Sequence, residues 1–234
     1  MKIAVVQFPG SNCDQDCLRA LTDGLHFQAE YVWHKQTSLY GFDAVVLPGG
    51  FSYGDYLRCG AIARFSPITR TVVRSAKEGM PVIGICNGFQ ILCEAGLLPG
   101  ALIRNQSLRF VCKSVWLRVE TGETPFTAHL KGQRILKMPI AHGEGAYFAD
   151  KASLDALESQ SQIVFRYTDE WGNATPEANP NGSMHNIAGV CNEARNVVGM
   201  MPHPDRAWDR QLGTEDGKLV FGSLAKALEP VISR

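Results

Sequence analysis

A turn built on glycine, cysteine and glycine constrains the fold of this chain more than any other feature. The apolar run 81–85 leads into Cys86, and Gly84 and Gly88 stand two residues to either side, as G-x-C-x-G. This is the cysteine form of a nucleophile elbow, a sharp strand-to-helix turn whose glycines remove Cβ atoms that would clash. The thiol would lie at a helix N-terminus, where the dipole favours a thiolate. A buried core cysteine is the alternative interpretation.

Strand and helix patterns alternate around this turn. Strands are predicted at 2–7, 27–33, 43–48 and 81–85, and helices at 13–25, 61–76 and from Asn87 onward. Ser11 or Asn12 is the expected N-cap of the first helix. The alternation predicts an α/β fold: a flavodoxin-like, open, mostly parallel sheet with helices on both faces.

The second half of the chain predicts an antiparallel extension of that sheet. Its predicted strands are 111–119, 135–142, 162–167, 186–191 and 196–201, the last two forming a hairpin. A final amphipathic helix is expected at 218–232. No repeat or boundary interrupts the sequence, so we expect a single domain over residues 1–234.

Composition excludes several functional classes. The 234 residues carry 23 basic and 23 acidic side chains, and no Lys/Arg run suggests a nucleic-acid partner. Apolar runs are strand-sized and no signal peptide is evident, so we expect neither a membrane nor an export route but a cytoplasmic protein. The seven cysteines are expected to be reduced. Cys13 and Cys17 lack further ligands at zinc spacing, so no metal site is predicted.

A cysteine nucleophile needs a base, and two histidines have a carboxylate two residues later. The pairs are His142 with Glu144 and His203 with Asp205. In an extended segment, residues two apart point to the same side, so spacing alone leaves both pairs open. Pro204 follows His203 and restricts its backbone, which favours the second pair.

An oxyanion hole requires backbone N–H donors near the thiol. The N–H of Asn87 is one candidate, because this residue follows the cysteine directly. The loop Gly49-Gly50-Phe51 after another predicted strand is the second candidate. A tight turn without function is the alternative interpretation of these glycines.

Together these features resemble the triad-type (class I) glutamine amidotransferases. The similarity is closest to the glutaminase subunits of phosphoribosylformylglycinamidine synthase, the PurQ type. It runs nearly from end to end through segments 8–14, 49–61, 84–90, 141–145, 178–183 and 199–204. One departure is Asp205, because this family usually has Glu there, and Asp is shorter by about 1.5 Å of reach.

The resemblance implies a role for each matched residue. The implied catalytic residues are Cys86, His203 and Asp205, the oxyanion-hole residues are Gly50, Phe51 and Asn87, and the glutamine-binding residues are Gln90, Asn105 and Phe110. His142 is expected at the cleft or at a subunit interface rather than in the triad.

The resemblance also implies the reaction and its partners. Glutamine would be hydrolysed through a Cys86 thioester, and ammonia would pass to an ATP-dependent synthetase subunit of the PurL type, with a small PurS-type third subunit. ATP and Mg²⁺ are expected on the synthetase, and no cofactor is expected in this chain. The product would be formylglycinamidine ribotide in purine biosynthesis. The alternatives are an amidotransferase subunit of another synthase, or a cysteine redox sensor or chaperone of similar fold.

Overall fold

The computed structural model describes residues 1–130 and 134–228. Its strands are β1 Lys2–Gln7, β2 Gln28–Trp33, β3 Ala44–Leu47, β4 Val82–Ile85, β5 Ala101–Ile103, β6 Val111–Val119, β7 Ile135–His142, β8 Ala146–Phe148, β9 Ile163–Thr168, β10 Ile187–Cys191 and β11 Val197–Met200. Its α-helices are α1 Asp14–Arg19, α2 Pro67–Lys77, α3 Asn87–Glu94, α4 Lys151–Ser159 and α5 Gly217–Leu228.

One nine-stranded sheet organises the described residues, in the order β2-β1-β3-β4-β11-β10-β9-β6-β7. The first five strands of this order pair in parallel, and the remaining four continue the sheet by antiparallel pairing. Strands β3 and β4 are buried along their whole length, as expected where both faces of a parallel sheet are covered. The predicted mostly parallel sheet with an antiparallel extension is therefore confirmed.

The parallel strands place four loops at one edge of the sheet. Strands β1, β3, β4 and β11 are neighbours, and the segments that follow them are 8–13, 48–51, the elbow at Cys86 and 201–206. Because the carboxyl ends of parallel strands meet at the same edge, all four segments border one cleft.

Several element predictions need correction. The predicted helix 61–76 divides into a 3-10 turn at Ala63–Phe65 and α2, because the extended Ser66 precedes Pro67. Cys13, not Ser11 or Asn12, is the N-cap of α1, and it makes no side-chain capping bond. The short strands β5 and β8 and helix α4 were not predicted. Residues 229–232 of the predicted last helix lie outside the described residues.

None of the helices in the described ranges is long and apolar enough to cross a membrane.

Candidate active site

Cys86 forms the predicted elbow between β4 and α3. Its backbone has φ 50° and ψ −105°, a strained conformation for a residue with a side chain. The flanking glycines are sterically required: a Cβ on Gly84 would lie 2.5 Å from the Gly88 carbonyl oxygen, and one on Gly88 would lie 2.0 Å from that of Leu47. The Cys86 N–H donates to the Met200 carbonyl at 2.8 Å, which ties the elbow to β11.

A small cavity of about 110 Å³ opens beside the Cys86 thiol. Its lining residues are Asn12, Cys13, Gly50, Phe51, Cys86, Phe110, Ala141, His203 and Arg206. The side chain of Cys86 is 6% exposed, and its sulfur lies 3.7 Å from the Ala141 carbonyl oxygen. A larger cavity of about 610 Å³, near α4 and the β10–β11 turn, contains none of the predicted site residues. The chemistry therefore points to the smaller cavity.

His203 and Asp205 form a buried pair at this cavity. His203 is extended, with φ −104° and ψ 93°, and its N–H donates to the Pro139 carbonyl at 2.9 Å. Asp205 lies in a 3-10 turn begun by Pro204, so the expectation of a common extended segment is wrong. The two side chains still meet, with the ring Nδ1 3.3 Å and 3.4 Å from the two carboxylate oxygens. Both distances are long for an N–H···O bond, as the short reach of Asp predicts.

The surroundings of His203 favour its protonated form. Burial acts to lower the pKa of His203, but the Asp205 carboxylate and the Cys86 thiol outweigh it and raise that pKa to about 10. Within the described ranges, His203 Nε2 and Asp205 Oδ1 are buried and have no hydrogen-bond partner. The ring can therefore hold a proton next to the sulfur and has a free nitrogen for transfer.

The three predicted oxyanion residues differ in what their N–H groups do. The N–H of Phe51 donates to the Gly10 carbonyl at 3.0 Å, so in this structure it is not free to bind an oxyanion. Among the residues that the structure describes, no hydrogen-bond partner is found for the N–H of Gly50 or of Asn87. Gly50 has φ +139°, and a Cβ there would lie 2.7 Å from the Asn12 nitrogen, so the loop requires glycine.

The side chain of Asn87 joins two walls of the cleft. Its carbonyl oxygen accepts from the Ser52 N–H at 3.1 Å, and its amide donates to Gln90 Oε1 at 2.9 Å. Gln90 Nε2 then donates to the Glu144 carbonyl at 2.6 Å. The Gln90 side chain thus links Asn87 to the Glu144 backbone, with a hydrogen bond at each of its two polar atoms. The predicted contact of Gln90 with glutamine stays a prediction.

Asn105 is also structural in its placement. It is fully buried, and its amide donates to the carbonyls of Arg109 and His142 at 2.9 and 2.8 Å. Its oxygen accepts from the Gly145 N–H at 3.1 Å. The predicted contact of Asn105 with substrate stays a prediction, as does that of Phe110, whose side chain is 55% exposed and lines the cavity.

His142 is buried and directly follows Ala141, which lines the cavity, and its expected place at the cleft or at a subunit interface stays a prediction. Its ring Nδ1 is 3.1 Å from Asn105 Oδ1, and its Nε2 is 3.4 Å from the Asn181 amide. Burial, together with the charge of His203, lowers the pKa of His142 to about 4. This ring is therefore neutral at pH 7, unlike that of His203.

Cys13 and Arg206 border the site and were not identified from the sequence. Arg206 donates to the Cys13 sulfur at 2.9 Å and to the Asp16 carboxylate at 3.0 Å. A Cβ on Gly49 would lie 2.8 Å from the His203 ring and 3.1 Å from the Cys13 sulfur, so this glycine permits their close approach. The sequence marked the two residues only by their position after strands of the parallel sheet. Cys13 follows β1, and Arg206 follows β11, which is next to the elbow strand β4.

Comparisons with known proteins agree with this geometry. The family model of the CobB/CobQ-like glutamine amidotransferase domain matches residues 1–215. The chain is 58% identical over 224 residues to "Phosphoribosylformylglycinamidine synthase subunit PurQ" of Thermomicrobium roseum, covering 96% of this chain and 95% of that protein. It is 56% identical to the subunit of the same name from Salinibacter ruber, covering 95% of each.

A solved structure also has the same fold as this chain. The structure of PurLQS from Thermotoga maritima contains a chain that superposes with a TM-score of 0.86 and 43% identity, over 97% of this chain and 99% of that one. Fold, elbow and relatives agree, and the chain belongs to the PurQ family of glutamine amidotransferase subunits.

Proposed function

We propose that this chain hydrolyses glutamine to glutamate and ammonia through a thioester on Cys86. The observation that carries the proposal is the strained elbow, which holds the Cys86 sulfur at a small cavity shared with His203. A cysteine beside a protonated histidine is an activated nucleophile. The full-length likeness to PurQ subunits names glutamine chemistry as the reaction class.

Each step of acyl transfer has a candidate group. The Cys86 thiolate attacks the side-chain amide carbon, and the N–H groups of Gly50 and Asn87 stabilise the oxyanion. His203 gives its proton to the departing ammonia and then accepts one from the water that releases glutamate. Asp205 orients the His203 ring through Nδ1.

Residues in the walls of the cavity would contact the substrate. Phe110 would pack against the aliphatic part of glutamine, because it is the exposed apolar wall of the cavity. Gln90 and Asn105 act through the backbone that they hold in place.

We further infer that the ammonia passes to a synthetase partner. The PurLQS assembly of a relative with 43% identity supports a PurL-type synthetase and a PurS-type third subunit as the partners. The acceptor would be formylglycinamide ribotide, converted to formylglycinamidine ribotide in purine biosynthesis. We assign ATP and Mg²⁺ to the synthetase. We also propose that residues 1–234 form one domain and that the complex works in the cytoplasm.

The test replaces Cys86 by Ala in the assembled complex. Glutamine-dependent synthase activity should fall at least about 10⁴-fold, since the nucleophile is lost. Activity with ammonium salts should stay within about twofold, because the acceptor site is on the partner. Retained glutamine-dependent turnover would refute the proposal, and loss of both activities would show that the variant disrupts the complex.

A further inference from the structure

We propose that Cys13, His203 and Asp205 form a zinc-binding site that switches the glutaminase site off. All three side chains are buried, and their ligand atoms lie within 4.8 Å of one another. Thiolate, imidazole and carboxylate are the three ligand types that zinc accepts in proteins. The sequence did not predict this site, because it paired Cys13 only with Cys17 in the same helix. The sheet instead places Cys13, which follows β1, close to His203 and Asp205, which follow β11.

The geometry of the His203–Asp205 pair suits a metal as well as a proton. Ligands on a tetrahedral zinc with bonds of about 2.0–2.1 Å are about 3.3 Å apart. The ring Nδ1 of His203 lies 3.3 and 3.4 Å from the carboxylate oxygens, longer than a good hydrogen bond. In the described part of the chain, Asp205 Oδ1 has no hydrogen-bond partner although it is buried. A zinc ion between these groups would satisfy it.

Charge favours the same ion. A divalent zinc with one thiolate, one carboxylate and one neutral imidazole is a neutral group, which limits the cost of its burial. Burial and the Asp205 carboxylate raise the pKa of the Cys13 thiol well above its ordinary value, whereas Arg206, which donates to the sulfur at 2.9 Å, acts to lower it. The thiolate therefore forms only as zinc displaces the proton. The charge of Arg206 is shared with Asp16 at 3.0 Å.

Binding would be a ligand exchange. Zinc loses bound water, and the Cys13 thiol and the protonated His203 ring each release one proton to solvent. Bonds to zinc then form from the sulfur, the ring Nδ1 and the carboxylate. A water molecule in the adjoining cavity completes four ligands. The ion thereby removes the carboxylate that orients His203. Inhibition of glutaminase activity rests on the proposed function, whereas the binding site does not.

The test titrates the metal-free full-length chain with ZnCl₂ against a chromogenic chelator, and with Co²⁺ to record the thiolate-to-cobalt charge-transfer band. We expect one zinc per chain and a clear band. Cys13→Ser should abolish the band and weaken zinc binding at least about 100-fold. The matched control is Cys112→Ser, at an exposed thiol, which should change neither.

Activity gives the second readout. Rates are compared within each chain, in chelator and with added zinc, so that any effect of Cys13→Ser on turnover itself cancels. Added zinc should inhibit the parent and not this variant. The Cys86→Ala chain should still bind zinc, so failure of the zinc site and failure of the proposed reaction can be told apart.

Three results would overturn the proposal. The first is the absence of stoichiometric zinc binding by the parent chain. The second is binding of equal strength by Cys13→Ser, or a band that persists in it. The third is zinc binding through Cys13 with undiminished glutamine turnover, which would remove the switch.

Discussion

At the scale of single residues, the contrast between two histidines defines the site. His203 and His142 are both almost fully buried, yet the pKa of the first is raised to about 10 and that of the second is lowered to about 4. The difference follows from their neighbours, because His203 faces the Asp205 carboxylate whereas His142 faces the neutral amides of Asn105 and Asn181. One ring can therefore donate a proton at neutral pH and the other cannot.

The length of Asp205 gives a first prediction. Asp205→Glu adds a methylene and should shorten the 3.3 Å contact with His203, so kcat should stay within about tenfold of the parent or rise. Asp205→Asn keeps the length but loses the charge and should lower kcat at least about 100-fold. Steady-state glutaminase kinetics of the complex measure both. Equal losses in the two variants would contradict an orienting carboxylate.

The two pKa shifts predict how stability depends on pH. His142 is protonated in the unfolded chain below its ordinary pKa of 6.5 but stays neutral in the fold down to about 4. The unfolded state therefore binds more protons in this window, and stability falls by about 3 kcal/mol as the pH drops through it. The raised pKa of His203 stabilises the fold below pH 6.5, and this contribution is lost as the pH rises towards about 10.

Urea unfolding across a pH series checks these signs. The parent should be most stable near pH 6.5, and His142→Gln should lose less stability between pH 6.5 and 4 than the parent does. An acid limb of unchanged slope in that variant would show that other groups cause it.

At the scale of elements, the elbow was predictable because its spacing is a steric requirement. Gly84 and Gly88 are packed against backbone atoms, so the G-x-C-x-G pattern reports the turn directly. Strands β5 and β8 carry weaker signals, since each is three residues long and, among the residues that the structure describes, they pair with each other alone. Tertiary pairing, and not local propensity, produces such short strands.

Two glycine substitutions test this packing. Gly88→Ala places a Cβ 2.0 Å from the Leu47 carbonyl oxygen and should destabilise the chain by at least about 3 kcal/mol. Gly222→Ala is the control, because it lies in α5 with its nearest atom at 3.8 Å. It should stabilise by about 0.5–1 kcal/mol. Urea denaturation measures both, and similar effects would contradict the steric account.

At the scale of the whole molecule, the sheet explains which parts of the site the sequence could reveal. Cys86 and His203 were found from local patterns, because each is marked by its own glycines or prolines. The placement of Cys13, Asn105 and Phe51 depends on contacts between distant segments, such as the bond from the Phe51 N–H to the Gly10 carbonyl. No local pattern encodes such a contact.

In the proposed reaction, the Cys86 sulfur at this edge of the sheet attacks the side-chain amide of glutamine. Exposing the assembled complex to a glutamine-analogue electrophile, followed by peptide mass spectrometry, tests it most directly. We expect one adduct per chain, on Cys86, with labelling that excess glutamine suppresses. An adduct on Cys13 or another cysteine, or labelling of Cys86 that glutamine does not slow, would contradict it.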